Sequence, residues 1–154
     1  MTWDWTTASA IASVIGSIGG VISIIFLVHG VRRNAQAIEG TTVQSLMNFE
    51  KDVFALIAEN AELYVKASAG KSKLSAAENL RFVRIVSTQM SLSYSAFVQF
   101  EQHLIDDDVW DAYLAALKGY LKAPGFRTSW HTVEHGYPRR FRELVSGLDK
   151  GDQQ

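Results

Sequence analysis

Residues 131–135 read His-Thr-Val-Glu-His, an order in which one helical turn can set two imidazoles on a zinc ion and a carboxylate beside its bound water. Such a centre needs a further acidic ligand, for which Glu143 is the candidate, and a braced helix, whereas Gly136 and Pro138 are expected to end the helix at His135. His131, Glu134 and His135 are therefore weak metal candidates, and a zinc hydrolase is a remote reading. His29 could ligate a haem or chlorin axially, but no second ligand and no Cys-x-x-Cys-His motif accompanies it. Asp106, Asp107, Asp108 and Asp111 lack the alternating donors, central Gly and closing Glu of a calcium loop. They suit a helix N-terminus, where negative charge complements the helix dipole. Ser87, Ser91, Ser93 and Ser95 sit in no Gly-x-Ser-x-Gly elbow, and the chain has neither a phosphate-binding glycine loop nor a dinucleotide fingerprint. The sequence thus predicts a non-enzymatic chain with no catalytic residue, no resident metal and no cofactor.

The elements that would position these residues all read as helices. Val43, Leu46, Met47, Val53, Phe54 and Ile57 fall three and four apart and form one apolar face, with Gly40 weakening the stretch before them. Residues 67–73 form a loop by composition, and Ser75 with Glu78 has the form of a capping box opening the next helix. Between Leu80 and Phe100 the charges are Arg81 and Arg84. The uncharged run 85–100 is too short and too rich in Ser and Gln for a membrane span and predicts a central core helix. His103 is expected to be a surface cap residue beyond it. Trp110, Tyr113, Leu114, Leu117 and Leu121 mark a further apolar helix face, which Ala123-Pro124-Gly125 is expected to end. A short aromatic segment over 126–135 then leads through Gly136-Tyr137-Pro138 to a last helix with Phe141, Leu144, Val145 and Leu148 on one side.

Charge distribution carries the strongest prediction. No formally charged residue lies between Asp4 and Arg32, and the apolar run Ala8–Val28 would span roughly 31 Å as a helix, close to the hydrocarbon thickness of a bilayer. A single transmembrane helix over 8–28 is predicted, with Trp3 and Trp5 at one interface and Arg32 and Arg33 at the other. The absence of a basic stretch before the run argues against a cleaved signal peptide, and the arginine pair after it places residues 1–7 outside and the rest in the cytoplasm. Ala8, Ala12, Gly16 and Gly20 make a small-residue stripe, and Ile11, Ile15, Ile18, Ile22 and Ile25 a second seam. Both are candidate helix-helix association faces.

The 154 residues are 47% hydrophobic and 20% charged with a net charge of -1, which excludes extended disorder and gives no bulk field for nucleic acid. Without cysteine there is no disulfide or thiolate chemistry. Lys118, Lys122, Arg127, Arg139, Arg140 and Arg142 face only Glu134 in their stretch of sequence, a local excess that could lie against lipid headgroups. The predicted organisation is all-α: the external tail 1–7, the span 8–28, a junction over 29–40, a four- to five-helix cytoplasmic bundle over 41–148 and a frayed end over 149–154.

Across Leu27-Val-His-Gly-Val-Arg-Arg-Asn34, Val43-Gln-Ser-Leu46, Phe97-Val-Gln-Phe100, Trp110, Trp130 and Phe141-Arg-Glu-Leu-Val145, the chain resembles a group of uncharacterised bacterial single-span inner-membrane proteins with an N-terminal transmembrane helix and a cytoplasmic α-helical domain. His29 departs from the Gln or similar polar residue of that junction. The resemblance implies a bacterial inner-membrane location and no chemistry. Together these readings predict a membrane-anchored interaction protein, a homo-oligomer or an accessory subunit or scaffold among other membrane proteins, in contact with lipid and not with nucleic acid. The alternative is a sensor holding lipid or a small apolar ligand in the bundle interior.

Overall fold

Ser75 and Glu78 form the predicted capping box: the Ser75 amide donates to Glu78 Oε2 at 2.7 Å and the Glu78 amide donates to Ser75 Oγ at 3.2 Å. This cap opens the longest fully described helix of the computed structural model, which describes Leu27, Gly30 and residues 39–70 and 73–151. The chain divides between Gly40 and Thr41. Every regular element among the described residues is helical. Within the second unit these are α1 (residues 41–59), α2 (Ala61–Ser68), α3 (Ala76–Glu101), α4 (Asp107–Leu121), α5 (Pro124–Val133) and α6 (Arg139–Gly151), with a single 3-10 turn at Glu134–Gly136 between the last two.

Among the described residues of the second unit six helices replace the four or five expected, for two local reasons. Asn60 breaks the first amphipathic stretch, because its side-chain amide donates to the Leu56 carbonyl at 2.9 Å and competes with the helical ladder. Pro124 does not terminate α4, which already ends at Leu121. It is the first residue of α5, where a missing N–H costs nothing, so the predicted aromatic segment 126–135 is a helix followed by the 3-10 turn. The C-terminus also differs from expectation: α6 continues to Gly151, and Asp149 pairs with Arg127 at 3.5 Å instead of fraying. The other ends follow the sequence. Asp106 caps α4 by accepting from the Val109 amide at 2.8 Å. His103 closes α3 in left-handed backbone (φ 57°), with the His103 amide donating to the Phe100 carbonyl and the Leu104 amide to the Gln99 carbonyl, each at 2.9 Å.

The predicted core helix α3 is central, packing against α2, α4 and α5. One core region gathers Phe82, Val86, Met90, Leu117, Phe126, Trp130, Phe141 and Val145, and a second gathers Leu46, Val53, Leu92, Ala96, Ile105 and Trp110; Phe97 and Leu144 touch both. Aromatic rings fill the first. Phe141 meets Tyr94, Phe97, Trp130 and Tyr137 at centroid distances of 5.3, 5.6, 6.1 and 5.6 Å. At the α2–α5 contact a Cβ on Gly125 would collide with the Ala67 carbonyl oxygen, so only glycine lets these backbones approach.

Among the described residues no helix is long and apolar enough to cross a membrane. The predicted span 8–28 lies outside the described residues except for Leu27, as do Trp3, Trp5, Arg32, Arg33 and both association seams.

Candidate interaction surface

The apolar face read on the first helix is narrower than its spacing suggests. Leu46 and Val53 are buried, while Met47 and Phe54, each one position further round the helix, are 56% and 54% exposed. On α3 the buried stripe runs through Phe82, Ile85, Val86, Gln89, Met90 and Ser93. Leu80 sits about 200° around the axis from Phe82 and is 71% exposed. These off-stripe apolar side chains are the signal that sequence reasoning passed over.

Leu56 and Asn60, at the end of α1, line with Leu80, Arg81, Arg84 and Ile85 of α3 a groove of about 350 Å³. Buried Ile85 forms part of its lining, whereas Leu80 and both arginines are exposed. Neither guanidinium has an ion-pair partner among the described residues. Beside the groove lies a wider depression shared by Arg81 and Asn60 with Glu59, Glu62, Lys66 and Glu78. There Lys66 Nζ donates to Glu78 Oε1 at 2.7 Å, and that bond, with those from Ser75, holds the Glu78 carboxyl down at about 2. Deeper in α3, Gln89 is buried and donates to the Tyr64 hydroxyl at 3.2 Å, and burial pushes the Tyr120 phenol up although Gln89 opposes the shift. The Tyr137 hydroxyl donates to the Ser87 carbonyl at 3.0 Å and lies 3.2 Å from Ser91 Oγ. Polar groups of α3 thus tie α2 and the segment before α6 to it.

The other candidates are placed as follows. His131 lies in α5 and its Nδ1 is 3.4 Å from Glu134 Oε2, but α5 ends at Val133 and His135 falls in the 3-10 turn, so the motif does not occupy one helix. Among the described residues no group of three or more His, Cys, Asp or Glu could hold a metal ion. Of the six basic residues between 118 and 142, Arg127, Arg139 and Arg140 already pair with Asp149, Glu143 and Glu101, the last at 2.7 Å. Lys118 and Lys122 are exposed, and Arg142 is half-buried with its Nε unpartnered. The local excess is partly neutralised within the fold. His29 lies outside the described residues, and exposed His103 serves the α3 terminus.

Comparison with protein-family models, curated proteins and solved structures gives no match.

Proposed function

We propose that this chain is a membrane-anchored, non-enzymatic interaction protein of the bacterial inner membrane, either self-associating or an accessory subunit of a larger membrane complex. The observation that carries this reading is the charge-free interval between Asp4 and Arg32, ended by the arginine pair. Residues 8–28 would then span the bilayer with the N-terminus outside, and the helical bundle would stand on the cytoplasmic side. The Ala8, Ala12, Gly16 and Gly20 stripe supports helix-helix association within the bilayer. Exposed Met47, Phe54 and Leu80 support a contact made by the bundle, since apolar side chains left at a surface beside polar ones suit a protein partner.

The test is the mass of the full chain extracted from native membranes in a mild non-ionic detergent, measured by analytical ultracentrifugation with the detergent contribution subtracted. A mass above that of one chain is expected. If it falls to one chain in the Gly16→Leu, Gly20→Leu double variant, the assembly is built on the small-residue stripe; if it persists, other subunits or the bundle hold it. A single-chain mass before any substitution contradicts the proposal.

A further inference from the structure

We propose that the α1–α3 groove docks an acidic amphipathic segment of a partner protein, whose apolar anchors enter between Leu56, Leu80 and Ile85 while flanking carboxylates meet Arg81 and Arg84. This inference rests on the interaction reading above and names the chemistry of the partner. Two observations converge on it. Leu80 places most of an aliphatic side chain in solvent at the groove, where packing against a partner would remove it from water. Arg81 and Arg84 are both exposed and both line the groove, and neither has a carboxylate within ion-pair distance among the described residues, although Lys66, Arg127, Arg139 and Arg140 each have one. A guanidinium fork suits a carboxylate bidentately, so two unused forks beside an apolar groove select acidic flanks over basic ones.

The distribution of charge favours a peptide over an anionic bilayer. A flat membrane surface would average over this whole end of the bundle, where Glu59, Glu62 and Glu78 balance Lys66, Arg81 and Arg84. A single segment seated in the groove meets a lining that includes both arginines and none of these glutamates. Basic flanks would face both guanidiniums at once, a like-charge penalty that gives the groove its direction of choice.

The experiment uses the full-length protein in neutral detergent and fluorescently labelled short peptides, read by anisotropy. One peptide carries Leu and Phe anchors at helical spacing with Glu flanks; a second has the same anchors with Lys flanks; a third has the Glu flanks with anchors replaced by Ala. The expected result is saturable binding of the first alone. Arg81→Ala with Arg84→Ala should weaken it roughly tenfold, and Leu80→Ser or Leu80→Glu should weaken it by a similar factor or more. Arg81→Glu with Arg84→Glu should invert the choice toward the Lys-flanked peptide, a gain that an unfolded variant could not produce. Equal affinity for both flanks, or affinity indifferent to these substitutions, overturns the proposal. So does binding to phosphatidylglycerol vesicles that the arginine variants abolish, which would make the occupant lipid. A fall in assembly mass in the same variants overturns it as well, because the occupant would then be a second copy. Failure of the peptides with the native assembly mass intact removes the groove assignment alone; loss of that mass in the unsubstituted chain removes the parent reading.

Discussion

Phe141 is fully covered, ringed by Tyr94, Phe97, Trp130 and Tyr137, whereas Leu80 keeps 71% of its surface in solvent and Phe54 keeps 54%. The α3–α5–α6 side of the bundle closes its aromatic side chains against one another and leaves little apolar surface to gain by binding. The α1–α3 groove leaves Leu80 uncovered beside two guanidiniums that have no ion-pair partner among the described residues. The first region is therefore expected to carry fold stability and, under the docking proposal, the second to carry recognition, so substitutions of similar size should have opposite consequences in the two.

The largest effect is expected from Phe141→Ala, which removes a ring with no exposed surface and opens a cavity among four aromatic neighbours. It should lower unfolding free energy by about 3–5 kcal/mol, measured by chemical denaturation of the full chain in detergent, and a loss below about 1 kcal/mol would mean that the aromatic cluster is not the stability centre. Gly125→Ala comes next. Its added Cβ collides with the Ala67 carbonyl, and backbone is less able than a side-chain tip to yield, so a loss of roughly 1–3 kcal/mol is expected. An unchanged midpoint would show that α2 moves away without cost.

A smaller effect belongs to the α3 cap. Ser75→Ala removes the acceptor for the Glu78 amide and should cost about 1 kcal/mol. The same cap gives a pH signature: Glu78 is held at about 2 against an ordinary value of 4.5. A depressed carboxyl stabilises the fold fully above its unfolded value and loses that contribution as pH falls, so melting temperature should decline between pH 4.5 and about 2 in part through Glu78. Glu78→Gln should shrink that part of the decline, and identical pH profiles for the two proteins would refute it. The smallest effect sharpens the comparison from the other side. Leu80→Ser should shift stability by less than about 0.5 kcal/mol while reducing peptide binding; a loss as large as that of Phe141→Ala would make Leu80 a core residue.

Local chemistry made part of this organisation readable in the sequence. Ser75 with Glu78, and Asp106 before α4, are side-chain-to-backbone caps that act within three residues, so their spacing alone predicts them. The buried positions Trp110, Leu117 and Leu121, and likewise Phe141 and Val145, follow helical spacing directly. Periodicity sets the centre of an apolar stripe but not its width, which is why Met47 and Phe54 read as buried with Leu46 and Val53. Asn60 carries no Gly or Pro to announce a break, and Pro124 reads as a terminator until the end of α4 at Leu121 is known. The groove itself joins residues 56 and 60 to residues 80–85, and the Arg140–Glu101 and Arg127–Asp149 pairs join distant turns. Such meetings are set by tertiary packing, which no local spacing encodes.

Washing native membranes with alkaline carbonate before ultracentrifugation decides whether residues 8–28 hold the chain in a membrane. Anchored as proposed, the full-length chain remains in the pellet, as an integral protein does. Its release into the supernatant, with known integral proteins of the same membranes retained, would contradict it.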